Sequence, residues 1–367
     1  KKISFKRILP LSIIAVLFLV NTPNQAHAQQ KVNLKQALIL AEQYYPSMKA
    51  AQLSVKRETE MKAGVNDIGT TEFSSGADEI GKGKDGIFTL LSVRQNLNIL
   101  GNKVRTRYQE QAITTAQAAV ELTRQQLQKS VCQAYVAAYV TNKRMKVYAI
   151  IDSIYRNFEH AAKVKYDARE ISYLEYLTAK KKSRQIVEDK LQATDDYHAA
   201  VLQLSQWLGS EVYEPTTAPE EHLMVVKSDS LIGTALTKFY AEKVRLADEG
   251  ITLERSKSLP TFFVEGGTKM LGNRAGYWSI NAGISIPLFK KTYQARERAA
   301  RLERDIAQAN YETIEMTIRA AKRVTEAQYD KLQRKLVYYR QTALPTAREQ
   351  QKGARSEEHT SELQSQR

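Results

Sequence analysis

The sequence predicts a mainly α chain with a small β part, built as two structural repeats of one unit: a strand pair followed by a long antiparallel helical hairpin. Three observations carry this. Residues 87–99 (IFTLLSVRQNLNI) and 277–289 (YWSINAGISIPLF) are strand-like runs about 190 residues apart, and a long helical pattern follows each. Between Lys103 and Tyr166 there is neither Pro nor Gly, and apolar residues recur at helical spacing. At about 1.5 Å per residue this helix is on the order of 100 Å long, which suits coiled coils and helical barrels rather than ordinary domains.

Residues 33–65 carry a helical stripe (Leu34, Leu38, Ala41, Tyr45, Met48, Gln52), and Pro46 inside it kinks the helix or starts a second one. Residues 70–78 and 86–100 read as two strands around a loop with Gly81, Gly83 and Gly86. The stripe of the long helix runs through Val120, Leu127, Val131, Ala134 and Ala138, then Val147, Ile151, Ile154, Phe158 and Ala161. Residues 167–172 (DAREIS) break it, and 173–207 return as a second helix, so the two form a hairpin. A linker with Pro215 and Pro219 spans 210–228.

The second repeat, 229–354, restates the first, 31–209. Residues 231–256 are helical, 259–270 a strand, 272–276 a turn and 277–288 the matching strand. Its alternation places Trp278, Ile280, Ala282, Ile284 and Ile286 on one face and Tyr277, Ser279, Asn281, Gly283 and Ser285 on the other. A transmembrane barrel presents such faces to lipid and to the lumen, whereas a half-buried strand of a soluble sheet has the same local pattern. Trp278, Ile280, Ile284 and Ile286 are the lipid-facing candidates. Four strands cannot close a barrel, and an open sheet edge in lipid is prohibitively costly, so strands in a membrane require an oligomer. A second long helix starts near Gln294 and should end near Gly353, with Ile314, Ile318, Ala321, Leu332 and Leu336 on its stripe.

The two ends stand apart from this pattern. Lys1, Lys2, Lys6 and Arg7, the apolar run 9–20 and Ala26-His27-Ala28 have the form of a cleaved signal peptide over 1–28, with cleavage after Ala28. The chain lacks an initiator Met, so Lys1 is not the expected natural start. Residues 355–365 (RSEEHTSELQS) match one reading frame of a common sequencing adapter. The tail 355–367 is therefore expected to be non-native, to continue no helix and to leave the second repeat truncated, with its return helix missing. A chain ending there is expected to trimerise poorly, because the stripe of its last helix stays uncovered.

Formal net charge is +15, which raises nucleic acid or anionic lipid as partners. Lys and Arg alternate with Glu along the whole length, as on solvated helix faces, and form no dense cluster with aromatics; nucleic acid is not an expected partner. Cys132 lies in an apolar stripe and reads as a small core residue. His160, His198 and His222 pair with no Cys or carboxylate at ligand spacing, and no nucleophile elbow or phosphate loop occurs, so no metal site, cofactor, catalytic residue or enzyme activity is expected.

The chain resembles the TolC-type outer-membrane efflux proteins over about residues 31–354. Asn33-Leu34-Lys35-Gln36-Ala37 with Ala41 and Tyr45-Pro46 is similar to the family's opening pattern, with Tyr45 in place of its common Asn. Ser258-Leu259-Pro260 and Gly283-Ile284-Ser285-Ile286-Pro287-Leu288-Phe289 resemble its second strand pair. Lys165-Tyr166 through Ile171-Ser172, Glu175, Leu177 and Ala179 resembles its hairpin tip, with Arg169 where Gly is usual. The resemblance implies a homotrimeric duct, with a 12-stranded barrel in the outer membrane and a helical tunnel across the periplasm. A periplasmic adaptor and an inner-membrane pump of the resistance-nodulation-division type or a related one would be its partners. It puts Glu175 at the tip constriction, with Arg169 and Lys165 as its salt-bridge partners. Residues 62–73 (KAGVNDIGTTEF) resemble the subtype found with heavy-metal pumps. The rival expectation is a soluble periplasmic scaffold with helical hairpins.

Overall fold

The computed structural model describes residues 30–77, 87–209, 212–216, 218, 234–271 and 274–365, with side chains of the last helix through Ser356. The signal segment with Ala28, the loop glycines Gly81, Gly83 and Gly86, and His222 lie outside the described residues. In chain order the elements are β1 (Gln30–Val32), α1 (Leu34–Tyr44), α2 (Pro46–Ala63), β2 (Thr71–Ala77), β3 (Ile87–Leu97), α3 (Asn102–Asp167), α4 (Tyr173–Leu208), β4 (Tyr213–Pro215), α5 (Ala235–Ser256), β5 (Thr261–Leu271), β6 (Arg274–Ser285), α6 (Lys291–Tyr338) and α7 (Leu344–Ser365). The chain divides into two compact units: residues 1–50 with 123–225, and residues 51–122 with 226–367.

In the first unit, Asn33 caps α1 in a reciprocal box with Gln36: the Gln36 N–H donates to Asn33 Oδ1 at 2.8 Å, and the Asn33 N–H to Gln36 Oε1 at 3.1 Å. Pro46 is the first residue of α2, where its missing N–H costs no helical bond. Ala37 and Ala41 of α1, Leu127, Val131, Tyr135 and Ala138 of α3, and Ala193, Val201, Leu204 and Leu208 of α4 are buried. Burial of a side chain the size of Leu204 stabilises by about 1.5–3 kcal/mol. The Tyr135 hydroxyl donates to the Val32 carbonyl at 3.3 Å, which satisfies its polar end inside the core. Cys132 is half-buried beside this stripe, and burial pushes its thiol up. α4 ends on Gly209, whose φ of +102° is the left-handed cap conformation.

Two features of this unit depart from the expectation. The region expected to be a linker contains β4, which pairs in parallel with β1 through Gln30↔Tyr213 and Val32↔Pro215. Three-residue strands are too short to leave a periodic signal. The stripe of α3 also splits. Leu127 to Ala138 is buried, but Val147, Ile154 and Phe158 are exposed, while Asp152 and Ala162 face inward. This end of the helix therefore has a second apolar side that α4 leaves open.

In the second unit, β2, β3, β5 and β6 form one antiparallel sheet in that order. The β3–β5 pair joins the two repeats, with Arg94↔Glu265 and Ser92↔Gly267 in register. The expected strand 277–288 starts earlier, at Arg274, and stops at Ser285 before Pro287, which has no N–H for a ladder. α5 packs on α6. Its buried Glu242 accepts from Gln111 Nε2 at 2.7 Å and Arg245 Nη1 at 2.9 Å, so the charge is paired.

The second long helix does not stop near Gly353. A π-turn at Tyr339–Ala343 precedes Pro345, and the widened turn makes room for a ring that would clash inside a regular helix. α7 then continues to Ser365, through the segment expected to break. That segment has no Pro or Gly and holds three Glu with Arg355, Leu363 and Gln364 among its residues, so extending a helix already nucleated costs little.

Candidate functional site

The sheet sorts its side chains by face. Cross-strand partners share a face, and the register makes one row of Glu72, Arg94, Glu265 and Asn281 across all four strands. The row beside it is Ser74, Ser92, Gly267 and Ser279. On the other side lie Asn96, Phe263 and Gly283. The Ser74 and Ser92 hydroxyls are 2.7 Å apart, and Asn96 Nδ2 donates to Glu72 Oε1 at 2.8 Å. Arg94 donates through Nε and Nη2 to one oxygen of Glu265, at 3.0 and 2.7 Å, and its guanidinium lies 4.7 Å from the centre of the Phe263 ring. Gly283 has a reason to be glycine: a Cβ there would collide with the Phe263 ring, which lies over it.

The opposite face is mainly apolar and bare, with Thr71, Gln95 and Thr268 its polar members. Phe73, Leu91, Val264, Trp278, Ile280 and Ile284 are all exposed, Trp278 at 80% and Ile280 at 84%. Exposed apolar area of this extent across a whole sheet marks a surface that meets something other than water. Ile286 is exposed too, but it follows the end of β6 at Ser285 and is a strand residue no longer.

The turn of the first hairpin is closed by two caps in sequence. The Glu170 N–H donates to the Lys165 carbonyl and the Arg169 N–H to the Tyr166 carbonyl, both at 2.9 Å, the paired bonds of a Schellman motif. This places Arg169 at the left-handed position, with φ +64°, where glycine is ordinarily favoured. Ser172 then caps α4: its N–H and hydroxyl donate to Glu175 Oε2 at 2.7 and 2.9 Å, and the Glu175 N–H returns a bond to Ser172 Oγ. The Ser172 N–H holds the Glu175 carboxyl below its ordinary range. Among the described residues no ion pair joins Lys165 or Arg169 to Glu175; the cross-helix pairs of the hairpin are Asp152–Lys190 and Arg144–Asp196. Three tyrosines meet at the turn, with Tyr166 stacked on Tyr176 at 5.6 Å and tilted against Tyr173 at 5.5 Å. Tyr166 belongs to the tip pattern of the sequence; Tyr173 and Tyr176, across a five-residue turn, are visible there too but stand in no pattern that marks them. Farther along the hairpin, a groove of about 670 Å³ is lined by Ile154, Tyr155, Phe158, Lys181 and Gln185.

Among the described residues no cluster of three or more His, Cys, Asp or Glu could hold a metal ion, and no helix is long and apolar enough to cross a membrane. His198 lies against the Tyr197 ring, and His160 is exposed.

No protein-family model and no curated protein matches the chain. Solved structures do. The CmeC outer-membrane channel of Campylobacter jejuni is 14% identical, with TM-score 0.66 over 87% of this chain and 76% of that one. A membrane protein from Pseudomonas aeruginosa is 17% identical, with TM-score 0.69 over 89% and 82%. CusC, whose structures concern transmembrane channel formation, is 18% identical, with TM-score 0.66 over 89% and 84%. At such identity the likeness is one of fold, and it agrees with the architecture described above: the chain has the outer-membrane factor fold, that of the TolC-type efflux channels.

Proposed function

We propose that this chain is the outer-membrane duct of a tripartite efflux system, through which solutes released by an inner-membrane pump pass without further energy input. The observation that supports this most is the sheet: four strands, one polar face, one exposed apolar face and, among the described residues, open edges at β2 and β6. A sheet of four strands is too narrow to close, because about eight are needed to enclose side chains alone. Three copies supply twelve strands, remove every edge, turn the apolar face to lipid and line the lumen with the polar face. The exposed second stripe of α3 and the exposed apolar residues of α6, such as Leu302, Met316 and Leu332, fit a helical wall whose neighbours are other copies. The signal-like start fits export.

In this reading Trp278, Ile280 and Ile284 face lipid. Glu175, with Lys165 and Arg169, rings the periplasmic tip, their pairing being between copies. The partners are a periplasmic adaptor and an inner-membrane pump of the resistance-nodulation-division type or a related one. The test uses the full-length protein. It should stay with outer membranes through a carbonate wash, run as a heat-sensitive trimer and give discrete conductance steps in planar bilayers. Release by carbonate would instead identify a soluble periplasmic scaffold.

A further inference from the structure

The polar face of the sheet carries its charge unevenly. Besides Glu72, Arg94 and Glu265, which stand at one level, the charged side chains of the four strands are Lys269 and Arg274, both toward the turn between β5 and β6. The flanking rows hold serine, glycine, asparagine and Phe263. Lys269 is four residues from Glu265, about 13 Å along an extended strand. Lys269 acts on Glu265, its neighbour on β5, which Arg94 already pairs, and it sits two strands away from Glu72.

Within the level the charges do not cancel. Arg94 is committed to Glu265, which is shielded beneath it: the two side chains are 43% and 18% exposed. Both bonds from the guanidinium go to Glu265, and the Phe263 ring holds its plane. Glu72 is exposed; it accepts a hydrogen bond from the neutral amide of Asn96, and Arg94, its neighbour across the ladder, acts on it through space while bonding to Glu265. One carboxylate per chain is thus left over. We infer that the row Glu72–Arg94–Glu265 is a charge belt that makes the membrane section of the duct prefer cationic solutes, with Glu72 as its working charge and Arg94 as the group that limits it. This rests on the duct reading, in which the polar face lines the lumen. A ring of carboxylates in a narrow, low-dielectric wall concentrates cations and repels anions. Three copies place three such charges around the lumen.

The experiment measures the permeability ratio of potassium to chloride from the reversal potential of the full-length protein in planar bilayers under a tenfold salt gradient. The wild type should favour potassium. Glu72→Gln should lower the ratio at least two-fold and Glu72→Lys should invert the preference. Arg94→Met, which frees Glu265, should raise it. Opposite shifts for Glu72→Gln and Arg94→Met are a signature that misfolding would not produce. If Arg94→Met fails to give trimers, the Glu72 pair carries the test, because it leaves the Arg94–Glu265 pair untouched. A conducting channel whose ratio is the same in wild type and variants overturns the belt while leaving the duct intact. A protein that stays in the membrane without conducting overturns the duct reading, and the belt with it.

Discussion

Lys190 reaches across the first hairpin to Asp152: its ammonium is 2.8 Å from Oδ2, while Arg156, one turn along α3, donates to Oδ1 at 3.0 Å. Asp152 is buried where the apolar stripe of α3 should have run, and both of its oxygens are occupied. Lys190→Met removes the bond between the helices and leaves a buried carboxylate with one partner, so the melting temperature followed by circular dichroism at neutral pH should fall by a few degrees.

The same carboxylate sets a pH dependence. The bonds from Lys190 and Arg156 hold Asp152 below the ordinary range. Its contribution to stability is therefore present above the unfolded value of about 3.9 and is lost as pH falls through the lower folded value. Between pH 5 and pH 2 the wild type should lose more stability than Asp152→Asn, measured by thermal melts at each pH. Equal slopes would mean that the pair contributes nothing.

At the hairpin turn, Arg169 occupies the left-handed position at φ +64°. Any side chain but glycine is strained there by about 1 kcal/mol, and a β-branched one by more. Arg169→Gly should raise the stability of the hairpin by up to about 1 kcal/mol and Arg169→Val should lower it, as read from denaturant midpoints.

Ser172 and Glu175 permit the cap to be separated from the gate. Ser172→Ala removes an N-cap and should cost about 1 kcal/mol. Glu175→Gln keeps a residue that can complete the capping box but removes its charge, so helix content should hold. If the ring of Glu175 constricts the tip, single-channel conductance of Glu175→Gln should differ from wild type although stability does not. Unchanged conductance would leave Glu175 with the cap alone.

The legible parts of this structure are those with a period. Trp278, Ile280 and Ile284 alternate with Ser279, Asn281 and Gly283, and the sheet separates them as expected. The long helices were legible from uninterrupted helical spacing without Pro or Gly. Part of what escaped depended on partners far along the chain. That Glu72, Arg94, Glu265 and Asn281 form one row depends on register, which the alternation of a single strand does not contain. The Schellman turn carries an arginine where its signature residue would be glycine, and the capping box at Ser172 and Glu175 carried a signature that was read as a gate alone. The buried Asp152 belonged to no apolar stripe. Residues 355–365 match an adapter reading frame and carry no apolar stripe, yet they are helical, because backbone conformation near a helix end follows local propensity rather than origin.

Gly283 and Phe263 test the packing of the polar face. A Cβ at position 283 would meet the tip of the Phe263 ring, so the ring, which also lies against the Arg94 guanidinium, must turn to accept it. Gly283→Ala should therefore strain the β5–β6 pair by about 1–3 kcal/mol, the usual range for overpacking. If three copies assemble as proposed, this should appear as a lower temperature for loss of the heat-sensitive trimer on gels. Phe263→Leu removes the ring and should restore the transition in the double variant, a coupling that independent sites lack. Ile280→Arg, by contrast, acts on the other face and, if that face meets lipid, should cost up to about 2–4 kcal/mol of insertion, whereas Ser279→Arg, one residue away on the polar face, should insert normally. Equal behaviour of the two arginine variants in carbonate-washed membranes would show that the sheet does not separate lipid from lumen.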